Sequence, residues 1–336
     1  MKWIAAMAVL SALAILLCSC GGNGGGGVVG PTGNPVTNAP ACDTVQSASC
    51  HSIMVTQSDG TVVTRYYVLH IPANFPQNSG ALVVSLHGTG EGGLEYEQHT
   101  GLDTTSDQNG FAIAYPDSLL APRNGNLRQW NFYFNGAQSP TDTSPDDVAF
   151  LRQLITTLRA SLHADPKKVY VSGVSAGGLM AVRVGVEMPD LVAAIAPLSG
   201  ALDIQEGGNA AVPTAAGPVS VIMLHADMDT TVPYCGDGYN ASQDATFNYW
   251  AAADATVSLD TTTPLCSNGS PTSVNEKDAT GGLSNTEVKF YRLIGVGHFA
   301  VYNNADLVLF NPNFNPTTGE LSNDIVWKFF AAHPKP

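Results

Sequence analysis

The chain has 336 residues, of which 44% are hydrophobic and only 12% are charged, and its formal net charge is −14. This composition is typical of one large globular domain and excludes a disordered chain. Because acidic residues outnumber basic ones and no basic cluster occurs, nucleic acid and other acidic polymers are excluded as partners.

The N-terminus has the pattern of an export signal. Lys2 supplies a positive charge, and the apolar run Trp3–Leu17 that follows is shorter than the roughly 18 residues of a membrane span. The next letters, LLCSCGG, resemble a bacterial lipoprotein signal, so we predict a signal peptide over residues 1–19 and lipidation of Cys20. By resemblance to Gram-negative lipoproteins, the glycine after Cys20 favours the outer membrane. The alternative is ordinary cleavage nearby and a secreted soluble protein.

Residues 20–41 contain mainly Gly, Pro, Asn and Thr, which predicts a flexible tether before a folded domain over residues 42–336. Four cysteines remain beyond the signal, and an even number in an exported chain indicates two disulfides. Proximity pairs them most simply as Cys42–Cys50 and Cys235–Cys266, although four cysteines allow three pairings. No CxxC or His-rich spacing appears, so we predict no metal site.

The strand pattern begins after the tether. Residues 52–72 contain two β-rich runs around Ser-Asp-Gly, which predicts a hairpin. Short continuous apolar runs that end in turn residues are typical of strands buried on both faces. Such runs are ALVVSLHG, FAIAYPD, KKVYVSG, VAAIAPLSG, VSVIMLHAD and TEVKFYRLIG.

Helical stretches lie between several of these runs. The clearest is SPDDVAFLRQLITTLRASL, for which we predict Ser144 as N-cap and Pro145 at the first position. A second helix is predicted from just after Ser175 to about Glu187, and SNDIVWKFFAAH forms the last. The alternation predicts an α/β fold with a mostly parallel central sheet, an antiparallel N-terminal edge and helices on both faces. The irregular stretches at about 121–143 and 235–285 are interpreted as functional loops.

The motif with the clearest chemistry is Gly173-Val174-Ser175-Ala176-Gly177, a G-x-S-x-G pattern. It follows a predicted buried strand and precedes a predicted helix, which is the context of a nucleophile elbow. Such a turn projects the serine hydroxyl from the carboxyl end of the sheet. We therefore predict Ser175 as a nucleophile, the alternative being a small residue in a glycine-rich turn.

A serine nucleophile needs a histidine base and a carboxylate that orients it, in the chain order Ser, acid, His. Only His225, His298 and His333 follow the elbow, and His298 lies in a glycine-rich turn after a predicted strand. We predict His298 as the base and packing at a strand end for His225. The acid follows the preceding strand and is Asp227 or Asp229, and spacing alone leaves both open.

Attack on a carbonyl also needs donors for the oxyanion. The expected donors are the amide of Ala176 and the amide of Thr89 in the loop SLHGTGEGG, the alternative being a plain glycine-rich turn. As candidate substrate-binding residues we name Trp130, Tyr133 and His87, with buried packing as the alternative for each.

Several of these stretches, in the same order, resemble the esterase family that includes polyhydroxybutyrate depolymerases, feruloyl esterases and acetylxylan esterases. They are SLHGTGEGG, FAIAYPDS, VYVSGVSAGGLMAVRVGVEMPDLVAAIAPLSG, VIMLHADMDTTVPYCG and IGVGHF. The resemblance implies the α/β-hydrolase fold and acyl transfer without a cofactor. It also implies Asp229 as the acid, since in that family the aspartate directly precedes an xxVPY stretch. One departure is LHGTGEGG, where family members often have LHGCGQ.

The expected protein is thus a serine esterase that acts outside the cytoplasm as a monomer. Its substrate is an ester, with polymeric esters among the candidates, and it reaches the membrane only through the lipid anchor. A hydroxyalkanoate polyester and feruloyl or acetyl esters of plant walls both remain open as substrates. The alternatives are a non-catalytic binding lipoprotein on a hydrolase scaffold, and a peptidase or acyltransferase that uses the same triad.

Overall fold

A computed structural model of the chain describes residues 41–45, 47–121, 126–134, 145–204, 213–259, 263–301 and 321–336. The predicted signal peptide, Cys20 and all of the predicted tether except its last residue lie outside these ranges. That last residue, Ala41, is fully buried, and its carbonyl oxygen accepts hydrogen bonds from the amides of Thr44 and Val45. The folded part therefore already includes Ala41.

The secondary structure alternates between strands and helices along most of the chain. The strands are β1 (Cys50–Thr56), β2 (Val62–His70), β3 (Leu82–Leu86), β4 (Ala112–Pro116), β5 (Leu120–Ala121), β6 (Leu127–Arg128), β7 (Val169–Val174), β8 (Ala194–Leu198), β9 (Ser220–Ala226), β10 (Ser258–Leu259), β11 (Cys266–Ser267), β12 (Ser270–Pro271), β13 (Glu276–Thr280) and β14 (Val288–Leu293). The helices are α1 (Gly93–Thr100), α2 (Leu102–Asn109), α3 (Asp147–Ser161), α4 (Ala176–Glu187), α5 (Gln243–Ala253) and α6 (Ser322–Ala332).

One ten-stranded sheet forms the centre of the fold, with the order β1-β2-β4-β3-β7-β8-β9-β14-β13-β10. The run from β4 to β14 is parallel, while β1 and β2 form an antiparallel edge on one side. Strands β13 and β10 form a second antiparallel edge, which the sequence pattern did not predict. The carboxyl ends of β3, β7, β9 and β14 consequently lie along one side of the sheet, where we expect the site.

The continuous apolar runs are explained by cores on both faces of the sheet. In β3, Leu82, Val84 and Leu86 belong to one core and Val83 to the other, because successive side chains point to opposite faces. The first core packs against α3, α4 and α5, and the second against α1, α2 and α6. The prediction of a mostly parallel sheet with helices on both faces and an antiparallel N-terminal edge is therefore confirmed.

Two predictions need correction. Helix α3 begins at Asp147 rather than at Pro145, because the Asp146 carboxylate caps it by accepting a hydrogen bond from the Ala149 amide (2.9 Å). The predicted cap, Ser144, lies outside the described residues. The stretch 235–285 is also not an irregular loop, since it contains α5 and strands β10 to β13.

Both predicted disulfides form. Cys42 is bonded to Cys50, and Cys235 to Cys266, with Cα–Cα distances of 5.4 Å and 5.7 Å. The first joins the N-terminal segment to β1, and the second ties the loop after β9 to β11. Within the described ranges, no helix combines the length and apolar character that crossing a bilayer requires.

Candidate active site

Ser175 lies in a sharp turn between β7 and α4, as the elbow motif predicts. Its backbone has φ 55° and ψ −119°. Residues other than glycine rarely adopt this conformation, which costs about 1–3 kcal/mol. The turn is held by the Ser175 amide, which donates to the Leu198 carbonyl at 3.0 Å. Ser175 is partly exposed, whereas the residues on either side of it are buried. The hydroxyl is therefore available to a molecule outside the protein.

Two glycines of the motif are required by close backbone contacts. A Cβ atom on Gly173 would lie 2.3 Å from the Gly177 carbonyl oxygen, and one on Gly177 would lie 2.1 Å from that of Leu86. Only a hydrogen atom fits at either position. The second contact also brings the start of α4 against the end of β3, where the loop His87-Gly88-Thr89 begins.

His298 and Asp229 continue from Ser175 in a hydrogen-bonded chain. His298 Nδ1 lies 2.6 Å from Asp229 Oδ2, and His298 Nε2 lies 2.8 Å from Ser175 Oγ. Because a carboxylate only accepts, Nδ1 carries the proton toward Asp229 and Nε2 accepts from the serine hydroxyl. Asp229 follows β9 and His298 follows β14, which are parallel neighbours, so both residues leave the sheet at the same end.

Asp229 is buried and receives donors on both oxygens. Oδ1 accepts hydrogen bonds from the amides of Thr231 and Val232, both at 2.9 Å, and Oδ2 faces His298. Burial alone raises the pKa of Asp229, but hydrogen bonds from His225 and His298 outweigh it and hold that pKa well below its ordinary value. The carboxylate is therefore ionised at neutral pH and stabilises a positive charge on His298.

His225 contacts this carboxylate, which the sequence interpretation missed. Its Nε2 lies 3.3 Å from Asp229 Oδ2 and 2.8 Å from the Val232 carbonyl oxygen. The residue is fully buried at the end of β9, so the prediction of strand-end packing holds but is incomplete. The sequence signal that could have indicated this contact is the spacing of four residues between His225 and Asp229, which lie on either side of the end of β9.

Asp227, the other candidate acid, has different partners. Its Oδ2 accepts from Arg292 Nη2 at 2.7 Å, and its Oδ1 accepts from the Gly295 amide at 2.7 Å. These contacts fix the turn that leads from β14 to His298. Asp227 therefore lies beside the hydrogen-bonded chain and not in it.

The two amides that the sequence predicts as oxyanion donors lie in the loop after β3 and at the start of α4. The Gly88 amide donates to Glu91, and the Gly90 amide donates to the Arg128 carbonyl at 2.8 Å. The Thr89 amide between them has no acceptor among the described residues. The Ala176 amide is the first of α4 and has no intrahelical acceptor, as at any helix start. Both amides are thus available for an external oxygen.

Two of the three candidate substrate-binding residues lie inside the protein. His87 is fully buried: Nε2 accepts from the Ser118 amide at 3.0 Å, and Nδ1 donates to the Gly88 carbonyl at 2.6 Å. Burial lowers the pKa of His87 to about 3, so the ring is neutral. Trp130 is 1% exposed, and its indole N–H donates to the His87 carbonyl at 2.9 Å.

The expectation that His87 and Trp130 line a cleft is therefore corrected. Both side chains are buried and make hydrogen bonds to backbone carbonyls of the loop after β3. Tyr133 is partly buried against Phe132, with ring centroids 4.5 Å apart. Among the described residues, no three His, Cys, Asp or Glu side chains are placed to hold a metal ion.

A mostly parallel sheet that carries a serine elbow, with an aspartate and a histidine after later strands, defines the α/β-hydrolase class. The family model described as Esterase PHB depolymerase matches residues 65–232, half of the chain. The chain belongs to this family.

Individual relatives match over a part of their length. The putative esterase NocK of Nocardia uniformis subsp. tsuyamanensis is 33% identical over 52% of this chain and 47% of its own. Poly(3-hydroxyalkanoate) depolymerase C of Paucimonas lemoignei is 27% identical over 48% of this chain and 38% of its own. The chain thus spans about half or less of these relatives. The solved acetyl xylan esterase from Aspergillus awamori has a TM-score of 0.53 at 20% identity, covering 75% of this chain and 94% of its own, which shows the shared fold.

Proposed function

We propose that the protein is a serine carboxylic-ester hydrolase that acts outside the cytoplasm. The observation that carries this proposal is the chain of hydrogen bonds from Ser175 Oγ through His298 to Asp229, at 2.8 Å and 2.6 Å. The membership in an esterase family supports the same reaction class.

In this mechanism Ser175 Oγ attacks the ester carbonyl while its proton passes to His298 Nε2. The Thr89 and Ala176 amides stabilise the negative oxygen of the tetrahedral intermediate, and Asp229 stabilises the imidazolium. The bond to the alcohol breaks as His298 returns the proton to the leaving alkoxide. Water then attacks the acyl-enzyme by the same route, which releases the acid and restores Ser175.

The substrate class is proposed as an ester with an apolar acyl group. Met228 and Phe299 directly adjoin Asp229 and His298 in the chain and are 62% and 39% exposed. Exposed apolar side chains at these positions offer contact area to an apolar acyl group, and burying apolar surface against them is favourable. Hydroxyalkanoate oligomers, amorphous polyester and methyl ferulate satisfy this condition better than acetylated xylan, whose acyl group is small.

The reaction is tested with p-nitrophenyl butyrate and the Ser175→Ala variant. We expect this variant to lose nearly all turnover, while Ser172→Ala, a buried serine of the preceding strand, keeps it. Undiminished turnover in Ser175→Ala would contradict the proposal. Cleavage of amides, or transfer to an added alcohol in preference to hydrolysis, would move the protein to the peptidase or acyltransferase alternative.

Export and lipid anchoring through Cys20 are part of the same proposal. The two disulfides support export, because such bonds persist in oxidising compartments. We expect the full chain to incorporate labelled fatty acid and to fractionate with membranes, and Cys20→Ala to do neither. A wild-type chain that is unlabelled and soluble in the medium would favour free secretion, and gel filtration would test the proposed monomer.

A further inference from the structure

The turn after β8 lies between the strands that carry the proposed triad. Strand β8 has two parallel neighbours, β7, which leads to Ser175, and β9, which leads to Asp229. The residues that follow β8 therefore leave the sheet at the end where the triad assembles. They are Ser199 and Gly200, and neither takes part in the mechanism proposed above.

Ser199 makes a direct contact with the main chain of the proposed base. Its hydroxyl donates a hydrogen bond to the His298 carbonyl oxygen at 3.1 Å. Because a carbonyl oxygen only accepts, the hydroxyl is the donor, and this assignment depends on no protonation state. Ser199 is fully buried and His298 is 6% exposed. Within the described ranges, no other side chain forms a hydrogen bond with the main chain of His298.

The neighbours of Ser199 hold the nucleophile and its helix. The Leu198 carbonyl accepts a hydrogen bond from the Ser175 amide at 3.0 Å. A Cβ atom on Gly200 would lie 2.6 Å from a main-chain atom of α4, so this turn and the helix are in close contact. Three consecutive residues thus contact the main chains of Ser175, of His298 and of α4. A change in this turn would alter the position of the base relative to the nucleophile.

The backbone of Ser199 is strained. Its φ is 47°, a value that glycine adopts easily and other residues rarely adopt. Such strain persists only where the surrounding structure imposes it, and it is common at functional sites. Glycine would relieve the strain but would lack the hydroxyl. The feature that serine retains at this position is the hydrogen bond to His298.

We propose that Ser199 is a positioning residue for His298, because its hydroxyl fixes the main chain of the base beside the nucleophile. This inference rests on the proposed esterase function. Proton transfer requires His298 Nε2 to stay within hydrogen-bond reach of Ser175 Oγ, a contact of 2.8 Å between residues of two different loops. Without the hydroxyl, the buried His298 carbonyl loses a donor. The loop then shifts and the contact with Ser175 lengthens.

Two variants of Ser199 separate the hydroxyl from the strain. Ser199→Ala and Ser199→Gly both remove the hydroxyl, but only alanine keeps a side chain at positive φ. We expect both to lower kcat for p-nitrophenyl butyrate roughly 10- to 100-fold with little change in KM. Ser199→Gly should unfold at a higher temperature than Ser199→Ala, by roughly 2 °C. Activity would then follow the hydroxyl, and stability would follow the backbone strain.

Ser106→Ala is the matched control. Ser106 is also a buried serine, and its hydroxyl donates to the buried carbonyl of Phe111. Phe111 precedes β4, at the end of the sheet opposite the site. We expect Ser106→Ala to lower the thermal midpoint and to keep the wild-type kcat. Wild-type kcat in both Ser199 variants, or an equal loss of kcat in Ser106→Ala, would overturn the inference.

A spectroscopic measurement does not depend on turnover. The proton between His298 Nδ1 and Asp229 Oδ2, which lie 2.6 Å apart, is expected to give a far-downfield proton NMR signal that Asp229→Asn abolishes. This signal should shift or broaden in Ser199→Ala and stay unchanged in Ser106→Ala.

The signal also separates this inference from the esterase proposal. A signal that Ser199→Ala leaves unchanged would overturn the inference even if kcat falls. An inactive wild type whose signal shifts in Ser199→Ala would overturn the esterase proposal and support the positioning of His298. If Ser199→Ala fails to fold, the less strained Ser199→Gly provides the same comparison.

Discussion

Replacing Gly177 with alanine tests whether close contact between α4 and the loop His87-Gly88-Thr89, which carries one of the proposed oxyanion donors, is required for activity. A Cβ atom at this position would lie 2.1 Å from the Leu86 carbonyl oxygen and 2.7 Å from that of His87. Both are main-chain atoms, so neither can rotate away. Since non-bonded atoms normally approach to about 3.5 Å, the loop and the helix must separate by about 1.4 Å at the closer contact.

A separation of this size moves the Thr89 and Ala176 amides apart. Loss of one oxyanion donor lowers kcat roughly 100- to 1000-fold, and overpacking costs about 1–3 kcal/mol of unfolding free energy. We therefore expect Gly177→Ala to fold with a lower thermal midpoint and to show kcat for p-nitrophenyl butyrate reduced by that factor, with KM little changed. Folded sites are counted by fluorophosphonate labelling.

Gly185→Ala is the matched control in the same helix. Its Cβ atom would meet the side chains of Ile195 and Trp250 at 2.9 Å, and side chains can shift. This variant is expected to change stability and to keep kcat per labelled site. The reasoning is refuted if Gly177→Ala keeps the wild-type kcat, or if both variants lose activity equally.

Three further predictions concern single groups. Asp229→Asn should lower kcat by roughly 1000-fold or more, because the His298 tautomer is no longer fixed, whereas Asp227→Asn should keep most activity and lose about 1–3 kcal/mol of stability with its Arg292 contact. Asp254→Asn should flatten the dependence of stability on pH and add roughly 2–4 kcal/mol at pH 8, because burial raises the pKa of Asp254 to about 7 and stability therefore falls as pH rises from about 4 to 7. Removing the Cys235–Cys266 disulfide, which spans 31 residues, should cost about 3–4 kcal/mol in denaturant unfolding.

Each of these has a contrary outcome. An Asp227→Asn variant that is less active than Asp229→Asn would exchange the two roles. Equal pH slopes for Asp254→Asn and wild type would mean that Asp254 is ionised in the folded state. A double Cys→Ser variant with wild-type stability would show that the loop after β9 is held by its non-covalent contacts alone.

The sequence was sufficient for the elements whose signals are local. The buried parallel strands show continuous apolar runs. The elbow motif lies between one such run and a predicted helix, so Ser175 was predicted from neighbouring residues alone. Helix α5 was missed although its buried residues Phe247, Trp250 and Ala251 have helical spacing, because the surrounding stretch was interpreted as irregular. Strand β13 was missed because its letters EKDAT carry charges and lack the continuous apolar run of the buried parallel strands.

The remaining features depend on contacts between distant segments. Asp227 and Asp229 differ because Arg292 and Gly295, on the next strand and its turn, occupy the first of them. No local sequence pattern indicates the contacts of Asp227 with Arg292 and Gly295. Only the family resemblance distinguished Asp229 from Asp227 as the acid. Trp130 was read as a cleft residue because aromatic character alone does not distinguish a cleft wall from a buried support. Its burial arises from the loop after β3, which is more than forty positions away.

Trp130 also gives the molecule an optical property. Its indole ring lies 5.0 Å from the His87 ring, and its N–H donates to the His87 carbonyl at the start of the loop His87-Gly88-Thr89. The emission energy of a buried indole depends on the local electric field, so this residue senses the loop without an attached dye. Trp250 and Trp327 pack against other parts of the sheet, and replacing them leaves a single fluorophore among the described tryptophans. With this single fluorophore, we expect stopped-flow fluorescence to follow acylation and deacylation on unlabelled protein and with colourless esters.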